Sequence, residues 1–351
     1  MKILYGIQGT GNGHLVRASV LAPELSKYAN VDLLVSGSES DLSLIEENVQ
    51  RHHGLGFHLG EKGGIDYRKT LLQFKPLQYL NSILTVKVKD YDLIISDFEP
   101  ITAWAAKLAG VPSIAVSHQA AFRSQLTPRP QHKSPIAESI LKHYTPTTKY
   151  LGFHFDKYGE HIDYPIIRQS IRELNPQEHN HHLVYLPAYC PEYLAYYLNG
   201  IKNTVWEVFS RHTKRIFKIG SVTVFPSDKE LWLESLRTCR GVLMGAGFEG
   251  PSEVLHLGKK LIVVPMSGQY EQLCNSVALD SMGIKSLKTL NSSTKEAVQS
   301  WVNSTKAVKV SYPDNKTSVA LKILNNESII EINSSRVSSC SLNKVQELIV
   351  N

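Results

Sequence analysis

The sequence predicts an α/β protein built from two halves of similar size, on three observations. Short apolar, β-rich runs alternate with helix-like segments along most of the 351 residues, the mark of buried parallel sheets. The alternation lapses near residue 175, in the polar stretch 173–182 (ELNPQEHNHH), where Pro176 marks a turn or linker. Glycine-rich turns follow a strand directly in each half, at Gly9–Gly13 and again from Gly245. That is where α/β sheets present ligand sites. At about 150 residues per domain the length also suits two domains.

In the first half, strands are predicted at 2–7 (KILYGI), 31–36 (VDLLVS), 92–96 (DLIIS) and 111–117 (VPSIAVS). Pro112 near the start of the last is a position a strand tolerates. The first helix begins near Leu15, because Leu15, Ala18, Ala22, Leu25 and Ala29 recur three and four apart and make one core-facing stripe. Pro23 removes a helix hydrogen bond, which predicts a kink or two short pieces. A further helix spans 101–109. In the second half, strands fall at 183–186, 216–219, 241–244 and 261–264, with helices such as 193–198 and 252–257 between them. The division is therefore 1–175, then 176–325, then a Ser- and Asn-rich tail, 326–351, for which no structure is predicted.

Composition excludes several classes. Hydrophobic residues at 42% and charged residues at 20% are an ordinary globular balance and not that of a disordered chain. No apolar run approaches the roughly 18 residues of a spanning helix, and the apolar start is too short for a secretory signal. Cys190, Cys239, Cys274 and Cys340 are far apart, with no C-x-x-C pair. They form neither a disulfide framework nor a zinc motif, and a reducing cytoplasm is the expected home. The net charge of +6 hints at acidic partners, but without long basic runs no nucleic-acid partner is expected.

The loop Gly9-Thr10-Gly11-Asn12-Gly13 ends in His14 at the start of the first helix. Its glycines let a ligand approach the backbone, and the helix start offers free N–H groups. A dinucleotide fingerprint fails here, because His14 stands in place of the third glycine and strand two ends in Ser36-Gly37-Ser38 without an acid. A Walker-type loop fails for want of G-K-[ST]. A plain tight turn remains the alternative. His14 has the chemistry of a base near neutral pH. Asp97, after the strand 92–96, would reach the same sheet edge and orient His14, unless it serves only as the N-cap of helix 101–109. His118 is a weaker rival base.

The segment GAGFEGPSEVLHLGKKLIVVPMSGQYEQLCNSVALDSMG (245–283) sets a glycine turn before a helix opening near Ser252, with Glu253 at its start. A carboxylate is favoured there, so Glu253 and Glu271 have a structural alternative as ordinary first-turn acids. The order Gly245/Gly247, Glu253, Val264-Pro265, Glu271-Gln272 and Asn275-Ser276 resembles the donor-binding region of the GT-B glycosyltransferases. The loop from Gly9 to His14 resembles the glycine loop of the same superfamily, closest to its MurG-like members. The resemblance spans most of residues 1–325.

It implies two Rossmann-like domains facing across a cleft, an acceptor domain first and a donor domain second. It implies a nucleotide-sugar donor, most often UDP-linked, inversion at the anomeric carbon, no cofactor and no metal. By position, His14 and Asp97 are the catalytic pair. Gly245, Gly247, Phe248, Glu253, Gln269, Glu271, Gln272 and Asn275 bind the donor, with Glu253 on the ribose. Gly9, Thr10, Gly11, Asn12 and Gly13 form the acceptor or phosphate loop. The chain departs from the pattern at Pro187-Ala188-Tyr189, where MurG-like enzymes carry Gly-Gly-Ser. A 2-epimerase of the same architecture and a non-catalytic nucleotide-sugar-binding protein are the alternatives.

The acceptor is expected to present a hydroxyl, on a lipid-linked or cell-envelope molecule. Residues 118–155 carry Arg123, Arg129, Lys133, Lys142 and Lys149 against Glu138 as the lone acid. This is either a solvated basic face or a weak, salt-sensitive contact with an anionic membrane. No amphipathic anchor helix is apparent in the sequence.

Overall fold

The structure, a computed structural model, describes residues 1–37, 49–52, 54, 75–304 and 306–325. The predicted tail, Cys340 and Ser38 lie outside the described residues.

The first half holds strands β1 (Lys2–Gln8), β2 (Asn30–Ser36), β3 (Val49–His52), β4 (Leu93–Asp97), β5 (Ser113–Ser117), β6 (Lys149–Phe153) and β7 (Ile162–Asp163). They form one parallel sheet in the order β3-β2-β1-β4-β5-β6-β7. Its helices are α1 (Gly13–Ser26), α2 (Pro76–Thr85), α3 (Pro100–Ala109), α4 (Pro135–His143) and the short α5 (Gln169–Arg172). The strand order reverses between β1 and β4, which makes their C-terminal ends a topological switch point.

The second half repeats the plan. Its strands are β8 (His181–Tyr185), β9 (Val205–Ser210), β10 (Phe217–Ile219), β11 (Val222–Pro226), β12 (Gly241–Gly245), β13 (Lys260–Val264) and β14 (Lys285–Ser286). The sheet order is β10-β11-β9-β8-β12-β13-β14, parallel except for the edge hairpin β10–β11. Its helices are α6 (Pro191–Asn199), α7 (Lys229–Thr238), α8 (Glu249–His256), α9 (Tyr270–Ser281), α10 (Lys295–Asn303) and α11 (Lys316–Asn325). The last of these returns to the first half. Thr317 Oγ1 donates to Glu24 Oε1 at 2.8 Å, and Lys322 Nζ donates to Asp163 Oδ2 at 2.6 Å.

Alternation explains the core. In β1, Ile3, Tyr5 and Ile7 pack with Leu15, Ala18, Leu21 and Leu25 of α1 on one face. Leu4 packs with Leu34, Ile94, Ile101 and Ala105 on the other. Burying each large side chain contributes about 1.5–3 kcal/mol, so both faces of the sheet are anchored. Lys259 and Lys260 are buried as well. Lys259 Nζ donates to the carbonyls of Gln177, Arg237 and Cys239, and Lys260 Nζ to those of Trp301, Val302 and Ser304. Each ammonium thus satisfies carbonyls at a helix C-terminus, where a cation is favoured.

Several expectations need correction. Pro23 does not divide the first helix into two pieces, for it runs as one element over Gly13–Ser26. Pro23 lies in its last turn, where it forfeits a single backbone bond. The strand expected at 111–117 starts after Pro112, at Ser113. The stretch 173–182 is not wholly a solvated loop. Gln177 N donates to Arg237 O at 2.8 Å and His179 N to Thr238 O at 2.7 Å, and His181 and His182 are buried in β8. Strands β3, β6, β7, β9, β11 and β14 were not foreseen. Of these, β9 (VWEVFS) is a strand beside β8 whose Glu207 interrupts the apolar run. The helix expected near Ser252 opens at Glu249, so Glu249 and not Glu253 is the first-turn acid. The N-cap of α3 is Glu99, which accepts from Ile101 N at 2.8 Å and Thr102 N at 2.7 Å. Asp97 is left for other work.

Candidate active site

The β1/β4 switch point brings the glycine loop and Asp97 together. Gly9 N donates to Ser36 O at 2.7 Å, and Thr10 Oγ1 accepts from Gln8 Nε2 at 2.6 Å. Gly37 has φ +118°, and a Cβ there would lie 3.1 Å from the Gly9 carbonyl carbon, so glycine alone lets the two turns stack. Gly11 also takes a positive φ, +83°, and Asn12 precedes α1 with its carbonyl accepting from Val16 N at 2.9 Å. Gly13 opens α1, and His14 comes next with its ring stacked toward Phe98, centroids 6.4 Å apart.

His14 and Asp97 are joined, as the sequence predicted. His14 Nδ1 lies 2.7 Å from Asp97 Oδ1, and Asp97 is fully buried. A carboxylate only accepts, so Nδ1 carries the proton and the Nε2 lone pair is left to take another. A third member, Arg17, joins them and was not foreseen from the sequence. Arg17 Nε donates to Asp97 Oδ2 at 2.8 Å and Nη2 to Asp97 Oδ1 at 2.6 Å, while Nη1 donates to Glu249 of the second half. Arg17 is 2% exposed. Burial would push the Asp97 carboxyl up, but Arg17 and His14 beside it hold it below the usual carboxylate range. Burial pushes Glu249 up to about 8, against the pull of Arg17, with Asp97, Glu253 and Glu271 adding to the rise.

The second half faces this pair with the donor-type motif. Gly245 closes β12, where a Cβ would sit 3.6 Å from Gln272 Oε1, and around Gly247 a Cβ would meet nothing within 4 Å. Phe248 stacks on His118 with ring centroids 4.0 Å apart and planes 5° from parallel. Asn275, fully buried, donates from Nδ2 to Ala246 O at 3.1 Å and places Oδ1 2.8 Å from His118 Nε2. Glu271 Oε2 accepts from Gln119 Nε2 at 2.8 Å. Gln272 Oε1 accepts from Met266 N at 2.8 Å. Gln269 leads into α9 with a buried Oε1 that has no partner in the structure. Glu253 is forked by Arg168, Nε to Oε1 at 2.6 Å and Nη2 to Oε2 at 2.8 Å.

His118 is placed otherwise than a base should be. It is 1% exposed, its Nδ1 donates to Phe153 O at 2.8 Å, and its other nitrogen faces Asn275. Burial pushes its pKa down, against Glu271 and these hydrogen bonds. It closes the contact between halves and has no nitrogen turned to a ligand. Among residues not foreseen, Arg17 carried a signal, since three positions after His14 it shares a helix face with it. Arg168 and Gln119 carried none. Among the described residues no group of three or more His, Cys, Asp or Glu is arranged to hold a metal.

The surface of the first half also departs from expectation. Helix α2 exposes Leu77 (81%), Leu80 (48%) and Leu84 (73%), and α4 exposes Ile136 (76%) and Ile140 (47%). Leu77, Leu80 and Leu84 fall on one helical stripe.

The chain matches the family model "Glycosyl transferase family 1" over residues 1–305. No curated protein matches its sequence. Among solved structures, it is similar to MurG of Acinetobacter baumannii (14% identity, 92% of this chain and 99% of that one, TM-score 0.57). It is also similar to a UDP-glucosyltransferase from Polygonum tinctorium (12%, 93% and 92%, TM-score 0.58). A third likeness is to the glycotransferase of kitacinnamycin (15%, 93% and 95%, TM-score 0.56).

Proposed function

The chain belongs to glycosyl transferase family 1, and from that premise we propose that it moves a sugar from a UDP-linked donor to a hydroxyl acceptor, inverting the anomeric carbon without a metal ion or cofactor. That it is a glycosyltransferase of the GT-B fold follows from the family and from the two sheets described above. The donor, the stereochemistry and the catalytic residues are our reading. One observation carries it: a histidine with its Nδ1 proton fixed by a buried carboxylate stands beside the start of helix α8, whose Glu249 meets Arg17.

In this reading His14 Nε2 removes the acceptor hydroxyl proton as the oxygen attacks the anomeric carbon. That centre passes through an oxocarbenium-like state. The bond to the nucleotide diphosphate breaks on the opposite face, and amides of the turn at Gly245–Phe248 meet its charge. Phe248 and Asn275 line the nucleotide pocket, Glu253 holds the ribose, and Gln269, Glu271 and Gln272 meet the sugar and phosphates. The glycine loop Gly9–Gly13 receives the acceptor.

The exposed leucine stripe of α2, with Ile136 and Ile140 of α4 and the basic residues Lys133 and Lys142, supports weak peripheral contact with the cytoplasmic face of an anionic membrane. A lipid-linked acceptor would be met there. No helix among the described residues is long and apolar enough to cross a membrane.

The test is UDP release across a panel of UDP-sugars, with cell-envelope extracts as acceptors and EDTA present. Transfer that survives EDTA and falls by roughly 10²–10⁴ in His14→Ala, with UDP affinity kept, is the expected result. Appearance of an epimerised UDP-sugar without any acceptor would replace transfer by 2-epimerisation. Complete loss with EDTA, restored by metal, would overturn the metal-free account.

A further inference from the structure

We propose that Arg17 is the positioning residue of the His14–Asp97 pair, and that through Glu249 it makes their alignment depend on contact between the two halves. The inference rests on the assignment of His14 as the base and adds what holds that base in line.

A guanidinium taken almost fully out of water is expensive unless its donors are met. Here Nε and Nη2 both reach Asp97, and Nη1 reaches Glu249. A planar fork on both carboxylate oxygens sets the plane of Asp97 as well as its position. That plane aims Oδ1 at His14 Nδ1. Without Arg17 the carboxylate loses both prongs of the fork and keeps only His14 and the Tyr5 hydroxyl beside it, so it can turn about its last bond. A lysine in the same place would keep the charge and lose the fork.

The charges make the arrangement conditional. Arg17 cancels the charge of Asp97, and its Nη2 lies 3.3 Å from His14 Nδ1. Glu249, supplied by α8, accepts from Nη1 on the far side of the guanidinium. The other titratable neighbours of this cluster are Tyr5, from β1, and Glu253 and Glu271 of the second half. A Cβ on Gly13 would come within 3.8 Å of Glu249 Cγ, so the donor helix and the glycine loop touch at this point. Glu249 directly follows Phe248 and sits one helical turn before Glu253. The placement of the donor helix is therefore felt at Asp97 through one side chain.

The experiment compares Arg17→Met, Arg17→Lys, Glu249→Gln and the double variant R17M/E249Q. The readouts are the rate–pH profile, donor KM, and the downfield NMR signal of the His14 Nδ1 proton. For R17M we expect kcat down about 10–100-fold with donor KM within about two-fold. The acid limb of kcat/KM should rise by about one pH unit, because Asp97 is no longer neutralised, and the Nδ1 proton signal should vanish by exchange. R17K should leave the limb in place and still lose rate and signal, and it carries the test if R17M does not fold. The double variant should be no slower than R17M, since Glu249 acts only through Arg17. Parent-like kcat and an intact signal in R17M and R17K would overturn the role of Arg17. Losses that add in the double variant would overturn the link through Glu249. Signal lost at an unchanged rate would uphold the hold of Arg17 on the ring and remove His14 from catalysis, which is a failure of the functional reading alone.

Discussion

Replacing Asp97 by Asn removes one charge and no volume, yet it breaks the hydrogen-bond pattern around His14. The carboxylate accepts from His14 Nδ1, Arg17 Nη2 and Arg17 Nε. An amide has one acceptor and one donor end, so one of its two orientations must set N–H against Arg17 Nε. The other sets it against His14 Nδ1 and Arg17 Nη2. The second orientation forces the His14 proton to Nε2, where the base is needed. A wrong tautomer of this kind costs a histidine base about 10³–10⁴ in kcat. Breaking a buried ion pair costs about 3–5 kcal/mol, and because Glu249 still faces Arg17 we expect the lower end, about 3 kcal/mol. Asp97 is buried in the first half, so donor affinity should be untouched. The assay is steady-state UDP release, with calorimetry of UDP binding and a urea melt of the same preparation. A variant that folds, binds UDP as the parent does and keeps kcat within ten-fold would refute the reasoning.

Glu253→Ala should weaken UDP binding by about 1.5–3 kcal/mol, the value of a charge-assisted hydrogen bond; calorimetry with equal affinity would remove Glu253 from the ribose. Stability should fall on acidification through the buried histidines. Burial, with Lys260 next, pushes His182 down from 6.5 to about 3, so the unfolded chain binds this proton first. The neutral form's advantage is complete above about pH 6.5 and is lost as pH falls toward 3, about 2 kcal/mol by pH 5. Urea midpoints at pH 7.5 and 5 should show that loss in the parent and a smaller one in His182→Gln. Leu77→Asp with Leu84→Asp should abolish co-sedimentation with anionic vesicles at low salt, where the Debye length is about 10 Å at 0.1 M. Equal, negligible binding of the parent to anionic and neutral vesicles would take the membrane out of the account.

The parallel sheets were legible because their central strands are continuous apolar runs bounded by glycine turns. The same logic hid β9 and β11, whose runs carry Glu207 and Thr223, and left out the short edge strands, which carry little apolar signal. At the site, His14 and Asp97 were legible because each follows a strand at the same sheet edge. What a strand-by-strand reading does not contain is which residue of one half meets which of the other. The Arg17–Glu249 and Arg168–Glu253 pairs depend on that docking. For Glu253 the pattern supplied a position, while its arginine partner came from a segment with no motif. The leucine stripe of α2 was present in PLQYLNSILT but reads equally as a core face until the neighbours are placed.

The return of α11 to the first half has a mechanical consequence. Arg172 donates to the carbonyls of Tyr312 and Pro313, and Asn315 Nδ2 donates to Tyr164 O at 3.0 Å. The chain thus leaves the first sheet for the second and comes back, and the two crossings lie side by side. A body tethered at two adjacent points keeps one easy rotation, about the line through both, and loses the freedom to twist or drift sideways. The second half is therefore held in place as a hung door is, and not as a tag on a string. The two crossings thereby fix the register of α8 against the glycine loop. Cutting the chain between α10 and α11 would leave every residue of the site in the chain and remove the second of these ties.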